Sequence, residues 1–390
     1  MADFDCILVG GGLHNGLMAL ALLHKQPLLR IALIEKSDRL GGNHTWSCHA
    51  QDVPAAEMAW FAPLIQWQWP AYDVFFAGTQ RTVISNYHTF TGDYLHEVVQ
   101  RAFALRPDCG VFLNSTIVQV GANQAVFSDG RRLSAQVVFD ARGPDATVQR
   151  PNTGYQKFLG LELEFTAPHG MQRPILLDTR VAQDDGLHFV YVLPFSATRA
   201  LVEQTYFSQN PDLDCDRLRR QVHDWAQSKG LVVAQVAREE AAVLPMPYAM
   251  PRIQIPDISE DKPLVLGFGH GWFHPATGYS LPWAVRAAAT AADQPFNAHR
   301  VLADLADVHA EQLGFMLLLN RLLFTATQPQ LCWHIFQRFY TLPAPLIERF
   351  YAMRLTLLDR GRMMAGRPPK GVSLRSAARA FAQAARAGNL

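Results

Sequence analysis

At 390 residues, with 49% hydrophobic and only 18% charged side chains, the chain can bury one elaborate domain or two interleaved ones and sits at the apolar end of soluble composition. Its formal charge of +1, from 35 basic and 34 acidic residues, gives no overall electrostatic case for nucleic acid as a partner. Five cysteines, Cys6, Cys48, Cys109, Cys215 and Cys332, fall at no C-x-x-C or zinc spacing, so no metal site is expected and the thiols read as reduced, mostly buried groups of a cytoplasmic protein.

The N-terminus, Met1-Ala2-Asp3-Phe4-Asp5, is acidic and enters a strand directly, unlike a signal peptide. That strand, Asp5-Cys6-Ile7-Leu8-Val9, runs into Gly10-Gly11-Gly12-Leu13-His14-Asn15-Gly16 and then a helix-forming stretch. Gly10 suits a tight turn and Gly12 lets the backbone approach a pyrophosphate, while the helix that follows offers unpaired N–H groups and the positive end of its dipole. The third glycine of G-x-G-x-x-G falls at Asn15, with Gly16 beside it, so slightly looser helix-to-strand packing is expected there. A second strand, 30–34, ends in Glu35, 25 residues after Gly10, where an acid would hold a ribose hydroxyl. In this order the pieces predict a dinucleotide cradle.

Next, Leu40-Gly41-Gly42-Asn43-His44-Thr45-Trp46-Ser47 reads as a polar, glycine-led loop that either lines the nucleotide site or only connects. Residues 60–72 are rich in Trp and Pro. A helix is predicted over 92–105 and strands over 110–113, 116–120, 124–128 and 136–139, with Asp129-Gly130 as a hairpin turn. The last of these strands ends in Asp140-Ala141-Arg142-Gly143, which alone reads equally as a plain turn or as a glycine beside the nucleotide. Longer strands at 158–165, 187–194 and 200–207 predict a sheet inserted into the nucleotide-binding fold. A strand at 263–269 then leads to His274-Pro275-Ala276-Thr277-Gly278-Tyr279-Ser280 and an Ala-rich helix through Ala292. Residues 298–365 are helical in pattern. Their most apolar stretch, 313–324, is shorter than the roughly 20 residues that cross a bilayer and contains Asn320 and Arg321, so it reads as core or groove wall, or as a segment dipping into a lipid interface. Over 354–386 basic residues gather with Asp359 as the one acid, a tail suited to an anionic surface.

Together these residues resemble the bacterial lycopene beta-cyclases, within the wider group of flavin-binding hydroxylase-like and geranylgeranyl-reductase-like proteins. The resemblance covers nearly the whole chain. It is carried by the segment from Val9 to Gly16, Gly41-Gly42-Asn43-His44-Thr45-Trp46-Ser47, Asp140-Ala141-Arg142-Gly143, Leu193-Pro194-Phe195-Ser196, Leu201-Val202-Glu203-Gln204-Thr205 and His274-Pro275-Ala276-Thr277-Gly278-Tyr279-Ser280. It implies an α/β, Rossmann-like FAD-binding fold of the glutathione-reductase/hydroxylase type, with an inserted antiparallel substrate-binding sheet and a helical C-terminal region. The implied segments are 1–80 and 81–155 for the FAD-binding domain, 156–260 for the inserted sheet, 261–296 for the return to the FAD-binding domain, and 297–390 for the helical region with its membrane contact. FAD is expected at Gly10, Gly12, Asn15, Glu35, Asp140, Gly143, Pro275 and Gly278.

The resemblance further implies reduced FAD, NAD(P)H as its electron donor, and closure of the acyclic ends of lycopene to beta-ionone rings, giving gamma-carotene and then beta-carotene without net oxidation. Glu203 matches the family's catalytic acid. Read by itself it is an ordinary strand carboxylate, but an apolar pocket raises a Glu from its usual ~4.3 and keeps it protonated. Gln204 stands where a second acid is usual; on a strand it points away from the face shared by Leu201, Glu203 and Thr205, so a single acid is expected to suffice. His44 and His274 read as hydrogen-bonded structural histidines. Two other readings stay open: a flavin-dependent hydroxylase or reductase of an isoprenoid, and a non-catalytic carotenoid-binding flavoprotein at the membrane. Lycopene and other acyclic-ended carotenoids are the expected ligands. Because they are insoluble hydrocarbons, peripheral association with the inner membrane is expected, with contact to other carotenoid-pathway enzymes as a further role for the tail.

Overall fold

The computed structural model describes residues 2–143, 151–257 and 260–386. Other positions of the expected segments, including Met1 and residues 387–390, lie outside them. The strands are β1 (Cys6–Val9), β2 (Ile31–Ile34), β3 (Thr45–His49), β4 (Trp67–Phe76), β5 (Thr79–Thr91), β6 (Gly110–Phe112), β7 (Ile117–Val120) and β8 (Gln124–Phe127). They continue with β9 (Arg132–Ser134), β10 (Val137–Asp140), β11 (Thr153–Phe165), β12 (Ile175–Asp178), β13 (Leu187–Pro194), β14 (Arg199–Ser208), β15 (Val233–Pro247) and β16 (Leu264–Val265). The helices are α1 (Leu13–Lys25), α2 (Met58–Phe61), α3 (Gly92–Ala104), α4 (Cys215–Ser228), α5 (Leu281–Asp293), α6 (Ala298–Thr325), α7 (Trp333–Phe339), α8 (Ala344–Tyr351), α9 (Leu357–Met364) and α10 (Leu374–Arg386).

A parallel sheet of order β16-β10-β1-β2-β6 forms the first layer. β1 and β2 are apolar along their whole length and wholly buried, as strands covered on both faces must be. α1 and the Ala-rich α5 pack together in the core on one side of this sheet; Ala284, Ala288, Ala291 and Ala292 are fully buried there. Gly16 lies against Leu95 of α3, where an added Cβ would come within 3.0 Å of the leucine side chain. The strand expected over 263–269 stops after Val265, because Gly267 turns the chain at φ +92° into a short 3₁₀ turn.

The second sheet has eight strands in the order β15-β11-β14-β13-β12-β4-β5-β3 and is antiparallel except for the β12–β4 pair. It draws on residues 45–91 as well as on the stretch expected from the pattern. The segment read as a loop through Ser47 is instead strand from Thr45 onward, paired Thr45 to Thr91 and Trp46 to Phe90 on β5. Thr and Trp favour a pleated surface, and their partner strand lies far enough along the chain to be invisible to local pattern. α4 covers one face of this sheet through Leu218, Val222 and Trp225. The opposite face looks into the molecule toward the parallel sheet and the C-terminal helices.

The stretch 313–324 is core and cavity wall: Leu313, Met316, Leu317, Leu318 and Leu323 are buried, and Asn320 donates to the carbonyls of Pro247 (2.8 Å) and Pro275 (2.7 Å). Among the described residues no helix is long and apolar enough to cross a membrane.

Candidate active site

A continuous cavity of about 2030 Å³ runs from the Gly10–Gly12 turn, between the two sheets, to the C-terminal helices. Single small-molecule pockets measure roughly 300–1,000 Å³, so this one has room for a cofactor and a long second ligand together.

At its first end, Gly10 turns the chain at φ +93°, and a Cβ there would meet the Ala141 carbonyl oxygen at 3.0 Å. Gly12 caps α1 with no side-chain hydrogen bond, and a Cβ on it would meet nothing within 4 Å. The helix start therefore presents bare N–H groups to open space. Glu35 accepts from the Gly11 amide (2.7 Å) and the Ser37 amide (2.9 Å), one bond per oxygen, which leaves lone pairs for a further donor. Two cavity-lining groups at this side, Gln156 Oε1 and His14 Nε2, are buried without a hydrogen-bond partner, as atoms awaiting a polar ligand would be.

At the centre, one row of the second sheet carries the acids. Tyr191 on β13 opposes Glu203 on β14; Glu203 opposes Gly160 on β11; Gly160 opposes Glu240 on β15. Residues in register share a face, and Tyr191, Glu203 and Glu240 all line the cavity, with Gly160 in the row between the two acids. Glu203 is buried and accepts a hydrogen bond from the Thr205 hydroxyl, and no Arg or Lys among the described residues pairs with it. Loss of solvation, helped by the nearby charge of Glu240, pushes its carboxyl up to about 8, so it holds its proton at neutral pH. Glu240 sits in the opposite environment: Arg238 contacts it at 2.6 Å and Thr45 Oγ1 donates to it at 2.9 Å.

The sheet curls until its two edges meet around this row. Asn43 Nδ2 donates to the Glu239 carbonyl (2.6 Å), and Arg238 donates to Asn43 Oδ1 (3.0 Å) and Thr45 Oγ1 (2.5 Å). Thus the start of β3 is clamped to β15. Further along β3, Ser47 Oγ lies 2.9 Å from Tyr191 Oη, itself 3.2 Å from Tyr87 Oη. Beyond the row the wall becomes apolar, with Phe189, Phe207, Leu323, Phe336, Phe339 and Tyr351 leading toward α10.

A family model described as lycopene cyclase protein matches residues 5–377. The chain belongs to the lycopene cyclase family. A lycopene beta-cyclase of Pseudescherichia vulneris is 42% identical over 94% of both chains, and one of Pantoea ananas is 38% identical over 94% of this chain and 95% of its own. Among solved structures, a geranylgeranyl bacteriochlorophyll reductase-like protein of Thermoplasma acidophilum superposes with a TM-score of 0.60 at 13% identity, covering 97% of this chain and 96% of that one. A probable FAD-dependent monooxygenase of Pseudomonas aeruginosa gives 0.58 at 17% identity over 82% and 96%. These two establish the fold, which is the one the sequence predicts.

Within this lycopene cyclase family member, Gly10, Gly12, Glu35, Gly143, Gly278 and Glu203 line the one cavity, whereas Asn15, Asp140 and Pro275 stand behind its wall. Asn15 is fully buried and ties α1 to β1 by donating to the Val9 carbonyl at 2.9 Å, which replaces the contact a third glycine would make. Asp140 is held by its neighbour Arg142 at 2.7 Å and fixes the turn against which Gly10 packs. Pro275 offers its carbonyl to Asn320, and Gly278, at φ +68°, brings the turn against Leu244 and Gln156. His274 uses both ring nitrogens, on the Phe350 carbonyl (2.9 Å) and the Ala276 amide (3.1 Å); burial lowers it to about 3, so it is neutral and structural. His44 lines the cavity beside Trp46, ring centroids 5.7 Å apart. Gln204 does point away, bonded to His188 (2.7 Å) and the Gln221 carbonyl (3.1 Å).

Sequence reading missed Glu240, Arg238 and Tyr191, which only strand register brings beside Glu203. It also missed Asp52, which burial raises to about 6; this acid lies behind Tyr279, whose hydroxyl donates to it at 2.6 Å, and does not line the cavity.

Proposed function

We propose that the protein closes the acyclic ends of lycopene to beta-ionone rings, giving gamma-carotene and then beta-carotene with no net oxidation. The reading rests above all on one observation: Glu203, a buried acid that keeps its proton, shares a cavity with an open dinucleotide cradle. FAD is assigned to the end formed by Gly10, Gly12, Glu35, Gly143 and Gly278, with Asn15, Asp140 and Pro275 shaping it from behind and NAD(P)H as its reductant. When bound in its reduced form, FAD supplies negative charge that favours a neighbouring cation.

The chain's own residues account for the rest of the chemistry. Glu203 hands its proton to the terminal double bond, leaving a tertiary cation that the neighbouring alkene attacks to close the ring. Tyr191, Tyr87 and Trp46 offer aromatic faces, and desolvation in an apolar cavity makes every such electrostatic contact stronger. The apolar wall toward α10 holds the polyene in line with the row and keeps water from the cation.

Because the substrate is an insoluble hydrocarbon, we assign a peripheral position on the cytoplasmic side of the inner membrane. Support comes from the segment around α9 and α10, where Leu357 (81%), Leu358 (87%) and Leu374 (70%) are exposed among Arg362, Arg367, Lys370, Arg375 and Arg379. Leu374 also lines the far end of the cavity. Exposed leucines beside cations suit an anionic bilayer, each cation contributing about 1 kcal/mol near such a surface. Charge reversal at Arg362, Arg367 and Lys370 is expected to release the protein from phosphatidylglycerol vesicles in a sedimentation assay. Unchanged vesicle binding would refute this face, and absence of wild-type binding would turn the tail toward contact with other carotenoid-pathway enzymes.

The function is tested by anaerobic incubation with FAD, NADPH, lipid and lycopene, following product mass and NADPH loss. Cyclic product of unchanged mass without stoichiometric NADPH loss supports the cyclase. A mass change would favour a hydroxylase or reductase, and binding without conversion a carotenoid-binding flavoprotein.

A further inference from the structure

We propose that Glu240 is the base that takes up the proton released when the ring double bond is set. The inference rests on the cyclase reading and extends it to a residue outside the Glu203 strand. Ring closure needs two proton transfers on one small ring: one delivered to the inner carbon of the terminal double bond, one removed from the chain-bearing ring carbon that has just bonded. An acid that has given its proton away at one carbon is poorly placed to collect another, unless a second group faces it across the ring.

The sheet supplies that second group. Glu203 and Glu240 lie in one row on either side of Gly160, both buried and both facing the cavity. At ~4.8 Å per strand step their α-carbons are roughly 9.6 Å apart, the right order for two groups that address opposite sides of one ring. Gly160 between them adds no side chain to a place that Leu201 (3.0 Å from where a Cβ would stand) and the stem of Glu203 (3.4 Å) already close, so the acids reach the cavity by their carboxyl ends. Their surroundings divide the roles. Among the described residues Glu203 has only a hydroxyl for a partner, whereas Glu240 has the Arg238 guanidinium at 2.6 Å and the Thr45 hydroxyl at 2.9 Å.

The step balances. Glu203 loses its proton to the inner carbon of the terminal double bond, leaving the tertiary cation on the dimethyl carbon; the internal alkene pair forms the new carbon–carbon bond to that cation; the positive charge moves to the adjacent methyl-bearing ring carbon. Glu240 then removes the proton from the chain-bearing ring carbon, and that C–H pair becomes the ring double bond. A carbocation is acidic enough that a carboxylate paired with an arginine still deprotonates it, so the site is decided by position. Each turnover leaves Glu203 without and Glu240 with a proton, and exchange with water resets both once the cavity empties. Asn43 and Thr45, in the segment that resembles the family's most specific motif, act here as positioning residues that hold Arg238 and Glu240.

The test is ring type. With Glu240 in place, beta rings are the product; in Glu240→Gln the same cation is expected to lose a proton from the neighbouring ring methylene or the methyl group, giving ring double-bond isomers of identical mass. Chromatography with NMR is expected to show these isomers as most of the cyclic product, with a ~10²–10⁴-fold lower rate and flavin absorbance and Tm as in wild type. Glu240→Asp, whose carboxylate is drawn back, is expected to restore a majority of beta rings. If Glu240→Gln makes no cyclic product, the Asp variant is decisive: slowed cyclisation with ring double-bond isomers beside the majority of beta rings supports the assignment, and wild-type rate and product, or loss of all cyclisation, overturns it. Beta rings alone from Glu240→Gln, at any rate, would likewise overturn it.

Discussion

Burial of Glu203 as a neutral acid has a thermodynamic signature that does not depend on substrate. In the folded protein its carboxyl titrates at about 8, against an ordinary value of 4.5 once the chain unfolds. Between those values the folded state keeps a proton that the unfolded state releases, so the folded state binds more protons and stability falls as pH rises. The contribution is fully present below pH 4.5, is lost progressively up to about pH 8, and is flat above it. The interval corresponds to roughly 5 kcal/mol, of which about 3 are gone by pH 7. Glu203→Gln keeps the shape of the side chain and removes the titration. Thermal unfolding of both proteins from pH 5 to 8.5 isolates the effect, since other titrating groups largely cancel in the difference. The Tm of wild type minus variant is expected to fall by several degrees across this range, at roughly 1–2 °C per kcal/mol for a chain of this length. Parallel curves would mean that Glu203 is solvated and ionised, and would remove the acid from the mechanism.

Gly12→Val is expected to weaken FAD binding at least ~10-fold, measured by flavin fluorescence titration, with little change in Tm, because its side chain would enter open space at the start of α1 and not the core. Gln204→Glu is expected to leave ring formation no faster, since position 204 faces α4, and to cost about 1–3 kcal/mol in urea unfolding because the donor to the Gln221 carbonyl is lost. Faster cyclisation would show instead that the row assignment is wrong.

What the sequence made legible is what local chemistry encodes. The Gly10 turn and the buried apolar runs of β1 and β2 each announce their own conformation, and the opposite facing of Glu203 and Gln204 follows from strand geometry alone. Thr45–His49 was not legible as strand because its partner, β5, lies some forty residues on and supplies the pairing that decides it. Glu240 was hidden for the same reason: neither its distance from Glu203 along the chain nor its neighbours suggest a shared row, which exists only through Gly160 on the strand between them. Asn15 misled in another way. Counted with the cofactor residues, it instead serves the helix-to-strand packing of its motif position, donating to the Val9 carbonyl, a bond open to an amide and not to glycine.

The central claim, a redox-neutral ring closure begun by a proton from Glu203, is tested most directly by running the reaction in deuterium oxide with reduced FAD and unlabelled lycopene. Wild type is expected to place one deuterium in each ring formed, and Glu203→Gln to form no rings. Cyclic product free of solvent deuterium, or rings made by the variant at the wild-type rate, would contradict the account.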